Sequence, residues 1–246
     1  MFNYINYEKL LKLALDSGYY FSNYEKSDIK NIILLRHDID ISPKLALEIA
    51  KIENNLGIKA TYFFMIRSPF YNLFSRANNN IVKEIISLGH EIGLHYDEGY
   101  YSKNMDLQFL IDNEIKVLEN NFDIKVNVVS FHQPSKKVIE NKIKIKQINT
   151  YDKEFFKDIK YISDSNMDFK ENPLKVIESR EVSKIQLLIH PIWWMIDGNN
   201  TEEKFINTIK LNFDLEQIQI LETERAYGVK KKLILKKSND VTKDIN

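Results

Sequence analysis

Asp38 and Asp40 stand two apart in "RHDID", a spacing that puts both carboxylates on one face of an extended chain. So placed they can meet one ion or one water, and without a cation between them one pKa must rise. The competing use of either acid is to cap the helix that begins near Pro43. His95 in "GLHYDEGYY" closes an apolar run, as a ligand at the mouth of a strand would. The position four residues on, where a second metal-binding imidazole often sits, is Gly99. His90 lies five residues before His95, so on a strand the two point to opposite faces. His95 is the candidate for the mouth, and His90 reads as a hydrogen-bonded structural histidine. His132 in "SFHQPS" also stands at a strand end, as a ligand or as a satisfied core residue. His190 in "LLIHPIWW" is a candidate general acid. Trp193 and Trp194 behind it suit either core packing or an aromatic platform for an uncharged polar ligand.

Composition narrows the chemistry. Cysteine is absent, so any metal must be held by His, Asp or Glu. No G-x-S-x-G elbow, dinucleotide fingerprint or P-loop occurs. Lys+Arg and Asp+Glu number 35 each, leaving no net field for nucleic acid or an anionic membrane. The basic runs "KKVIENKIKIK" and "VKKKLILKK" read as solvated faces. The opening segment lacks the basic-then-apolar pattern of a secretory signal, and no apolar run approaches the roughly 20 residues needed to span a bilayer. The cytoplasm is the expected location; the sequence does not fix an oligomeric state.

Strand and helix signals alternate around these residues. "NIILLRH", "ATYFFMI", "HEIGLH" and "VNVVSF" read as buried strands, with later ones at "QINTY", "IKYISDS" and "IQLLIH". Helices are predicted from Leu45, Ile49, Ile52 and Leu56 behind Ser42–Pro43, and from Ile81, Ile85 and Leu88 before Gly89. Two more are predicted, one from Leu107 through Phe122 and one near "TEEKFINTIKLNF". Such units imply parallel strands with right-handed crossovers. The expectation is an α/β fold, a distorted βα barrel in one domain, with a core at about 31–215 and a polar tail at 237–246. The polar clusters "RHDID", "HYDE", "FHQPS", "SDS" and "HP" each follow an expected strand, and in a parallel barrel those ends share one mouth.

In this order the clusters resemble those of the polysaccharide deacetylase family, the nodulation-type chitooligosaccharide deacetylases of carbohydrate esterase family 4. The resemblance runs from about Asn31 to Trp194, roughly two thirds of the chain. "LLRHDID" is similar to the first motif, which implies that Asp38 is the catalytic base. The family's metal aspartate comes immediately afterwards, but Ile39 stands there, so the ligand role shifts to Asp40. "GHEIGLHYD" resembles the second motif and maps the first metal histidine onto His95. "SFHQPS" occupies the place of an Arg-Pro-Pro motif, with His132 at the arginine position. "SDSNMDF" is similar to the fourth motif, which implies a supporting role for Asp164 and an aromatic one for Phe169. "LLIHP" maps the general acid onto His190.

The departures at Ile39, Gly99 and His132 imply a divergent subgroup with a rebuilt metal site. In it His132 supplies the imidazole lost at Gly99, with Asp97 as the alternative third ligand. The resemblance implies metal-assisted hydrolysis of an acyl group on an amino sugar or sugar conjugate, with one divalent ion, zinc being favoured by the ligands. A hydrolase of another C–N bond (a formamide or cyclic ureide) and an inactive sugar-binding module are the alternatives.

Overall fold

The computed structural model describes residues 2–24, 30–101 and 105–223. Helix α1 (Tyr4–Asp16) starts at Asn3, whose side chain accepts from the Asn6 backbone N–H at 2.9 Å. A short β1 (Tyr20–Ser22) leads to β2 (Ile32–Ile39), which is buried at every position. Helix α2 (Pro43–Asn55) follows, with Pro43 in the first turn; Ser42 holds the N-cap position without a side-chain capping bond. Then come β3 (Thr61–Phe64), α3 (Arg76–Ser87), β4 (Glu91–Asp97), α4 (Leu107–Phe122) and β5 (Val128–His132). The chain continues through α5 (Lys136–Ile139), β6 (Ile148–Asn149), α6 (Lys153–Phe156), β7 (Lys160–Ser163) and α7 (Pro173–Ser179). Strand β8 (Lys184–Ile189), α8 (Pro191–Met195) and α9 (Thr201–Thr223) complete it.

The sheet runs β6-β5-β4-β3-β2-β8-β7, and β1 adds to the first residues of β2. Every pairing is parallel. This is the distorted parallel βα barrel expected from the alternation of elements. Among the described residues the ladder ends at β6 and β7, so the barrel is open between them.

Two local details set the site's frame. In α2 the buried face runs through Leu45, Ala46, Ile49, Ala50 and Glu53, while Ile52 and Leu56 are only half-buried. The apolar periodicity misplaces this face because a charged residue, Glu53, takes an inward position. In β4, Gly93 admits the Phe63 ring: a Cβ there would lie 2.4 Å from two ring carbons. The missing side chain thus lets the ring lie across the inner face of β4 without strain.

Contacts divide the chain into two compact units, Met1–Thr208 and Ile209–Asn246. The sheet and all candidate residues belong to the first. The second is described to Thr223, where it is helical. The polar tail expected at 237–246 and the run "VKKKLILKK" lie outside the described residues. Among the described residues no helix is long and apolar enough to cross a membrane.

Candidate functional site

The pleat of β2 sends Arg36 and Asp38 to the inner face, and Asp40 continues the row just past the strand's end. Arg36 is wholly buried, with its guanidinium near the Tyr151 ring (4.9 Å) and the Phe63 ring (5.6 Å). Its Nε donates to Asp38 Oδ1 at 2.9 Å and its Nη2 to Asp38 Oδ2 at 2.7 Å, a bidentate pair. Burial is the largest single influence and would raise the Asp38 pKa, but Arg36, through its charge and hydrogen bonds, together with His95 and His190, holds the carboxyl below its ordinary value. His37 points the other way. Its Nε2 meets Glu53 Oε1 at 2.6 Å and its Nδ1 the Ile189 carbonyl at 3.2 Å, so β2 is braced to both α2 and β8.

Three ligand-type groups meet beyond Asp38. Asp40 Oδ1 lies 3.0 Å from His95 Nε2 and 3.2 Å from His132 Nδ1, and the two ring nitrogens are 3.3 Å apart. Among the described residues this is the group of at least three His, Asp or Glu side chains that could hold a metal ion. His132 and His95, with His190 behind them, hold Asp40 well below the usual carboxylate range although the carboxyl is partly desolvated. Strand register explains the meeting: β4 and β5 pair with His95 opposite Ser130 and Asp97 opposite His132. His95 Nδ1 stands 2.6 Å from Ser130 Oγ, which is 3.3 Å from Asp38 Oδ1.

His190 approaches from the end of β8. Its Nδ1 is 2.6 Å from Asp164 Oδ1, and its backbone N–H donates to both Asp164 oxygens at 3.1 and 3.0 Å. Trp194 Nε1 donates to Asp164 Oδ2 at 2.8 Å, so this buried carboxylate is fully engaged. The His190 Nε2 then faces Asp40 Oδ2 at 4.0 Å. Burial is the largest single influence and opposes the imidazolium, but the carboxylates of Asp164, Asp40 and Asp38, Asp164 foremost, together raise the His190 pKa to about 9.

Asp38, Asp40, His95, His132 and His190, expected from five different positions in the chain, therefore converge on one mouth. His90 is on the far face, accepting from the Ala60 N–H at 3.2 Å and lying 3.2 Å from the Ala50 carbonyl, in keeping with a structural histidine. Asp97 Oδ1 accepts from the Gly99 N–H at 2.8 Å, a turn contact within its own loop. Of the two uses open to the tryptophans, their burial fits packing. Trp193 and Trp194 are 5% and 3% exposed, so neither presents a ring face as a platform. Trp194 packs against Phe2 and Tyr7 and supports Asp164; Trp193 packs edge-on against Phe205. Phe169 stacks on Phe2 at 5.6 Å. Arg36 and Ser130 had no assigned role in the sequence, although both share the two-residue periodicity of their strands' inward candidates.

No family model and no curated protein matches this sequence. Solved structures do. The chain is similar to the peptidoglycan deacetylase PdaC from Bacillus subtilis at 12% identity, with 85% of this chain and 99% of that one covered and a TM-score of 0.45. It is similar to the Streptococcus pyogenes deacetylase PplD at 14% identity, 84% and 87% coverage and a TM-score of 0.47. The chitin deacetylase from Colletotrichum lindemuthianum matches at 14% identity, 75% and 84% coverage and a TM-score of 0.40. All three are deacetylases.

Proposed function

We propose that this chain is a divergent polysaccharide-deacetylase-type hydrolase that uses one divalent ion to remove an acyl group, acetyl first, from an amino sugar or sugar conjugate. The observation that carries the reading is the convergence of Asp40, His95 and His132 between Asp38 and His190. The donor set fits a metal. Ligand atoms about 2.0–2.1 Å from zinc at tetrahedral angles stand about 3.3–3.4 Å apart. The three atoms here are separated by 3.0, 3.2 and 3.3 Å. One carboxylate and two imidazoles suit zinc and leave a fourth position open, as catalytic sites do. An ion there supplies Lewis acidity to the acyl carbonyl and to the attacking water.

The chain's own residues supply the proton transfers. Asp38 Oδ2 lies 3.8 Å from His95 Nε2, next to the three candidate ligand atoms. Asp38 is ionised at neutral pH and oriented by Arg36, so it is the base that takes the water's proton. His190, oriented by Asp164 and protonated at neutral pH, presents Nε2 across the same space. It is the acid that protonates the departing amine or hydroxyl.

The test is acetate release from N-acetylglucosamine, its short oligomers and its conjugates. The expected result is release that stops after chelation and returns with added zinc. Binding of these sugars with no acyl release under any metal supplied would transfer the reading to a sugar-binding module.

A further inference from the structure

We infer that Ser130 is a positioning residue for the metal centre, a hydroxyl relay that fixes the tautomer of His95 and ties this ligand to Asp38. The inference rests on the metal-dependent reading above. It follows from counting protons along one chain of contacts.

Arg36 brings only donors to Asp38, and the ionised carboxylate only accepts. Ser130 Oγ stands 3.3 Å from Asp38 Oδ1, so the proton between these two oxygens belongs to the serine. A serine has one proton to give. Having directed it at Asp38, Oγ can meet His95 Nδ1, 2.6 Å away, only as an acceptor. Nδ1 therefore carries a proton. A neutral imidazole has one N–H, so Nε2 keeps its lone pair. That nitrogen faces Asp40 Oδ1 and His132 Nδ1, where the ion would be held.

The reverse assignment works against the site. A serine donating to Nδ1 would move the ring proton to Nε2 and occupy the ligand position. It would also turn the Oγ lone pairs toward an ionised oxygen. Ser130 is wholly buried, which keeps bulk water from relaxing either clash. The placement is a product of the fold. Register sets Ser130 directly opposite His95, and the curvature of the sheet from β2 to β5 brings its hydroxyl to Asp38 across the inner face. Groups that donate or accept at the far nitrogen of a metal histidine orient the ring, and their loss costs roughly 10–100-fold in metal affinity.

Zinc competition titrations on the wild type and on Ser130→Ala, with circular dichroism to verify the fold, test the relay. Nitrogen-15 NMR of the zinc-loaded His95 ring provides the spectroscopic half. The wild type should show a protonated, hydrogen-bonded Nδ1 and a zinc-bound Nε2. Ser130→Ala should remain folded, bind zinc roughly 10–100-fold more weakly, and lose the hydrogen-bonded Nδ1 proton signal. Wild-type zinc affinity in Ser130→Ala, or a His95 ring protonated at Nε2, overturns the relay while leaving the metal site standing. A wild type that takes up no zinc removes the metal-dependent reading itself, and the relay falls with it.

Discussion

Replacing Asp38 with asparagine should lower turnover on an N-acetylated sugar by about 10²–10⁴-fold while zinc content stays near one ion per chain. The substitution keeps the shape and removes the basic oxygen. Asp38 lies outside the group of three potential ligands, so the ion should remain. The substitution also removes the charge that Arg36 is paired with, and both side chains are buried. Removing one partner of such a pair costs about 3–5 kcal/mol, so the variant should unfold at lower denaturant than the wild type. Turnover must therefore be measured where circular dichroism shows the chain folded. A folded, zinc-loaded Asp38→Asn protein with wild-type turnover would take the base assignment away from Asp38.

His190→Ala should lower turnover by a similar factor, about 10²–10⁴-fold, and change the shape of the pH profile. The imidazolium is the active form of an acid. With its pKa raised to about 9, His190 stays protonated through neutral pH, and kcat/KM should fall as pH rises through about 9. Asp38 acts ionised, and Arg36 holds its pKa below the ordinary carboxylate value. The acidic limb from Asp38 should therefore appear only in strongly acidic solution. In His190→Ala the limb near 9 should vanish and the acidic limb persist. A His190→Ala profile that still falls near pH 9 would show that the basic limb belongs to another group.

The barrel was legible because buried parallel strands read as apolar runs, and each run ended in polar residues at the same end. That regularity alone puts Asp38, Asp40, His95, His132 and His190 at one mouth. The alternation rule separated His90 from His95 for the same reason. Other features could not be read from local pattern. Ser130 sits between Val129 and Phe131, where a small hydroxyl looks like core filler; its use depends on the register with His95. Arg36 gains its role from Phe63 and Tyr151, far away in sequence. Trp193 and Trp194 followed a candidate acid, yet helix α8 turns both rings into packing against Phe205, Phe2 and Tyr7. Glu53 broke the apolar face of α2 because it serves His37. The brief β1 and helices α5 to α8 are too short for periodicity to reveal.

Zinc stoichiometry after equilibration and desalting decides whether Asp40, His95 and His132 together hold one ion. The wild type should retain about one zinc per chain. His95→Ala and His132→Ala, each verified as folded, should retain almost none. Asp97→Ala should retain zinc like the wild type, since that carboxylate is committed to the Gly99 turn. Full occupancy in His132→Ala with loss in Asp97→Ala would make Asp97 the third ligand, and no zinc on the wild type would remove the metal site.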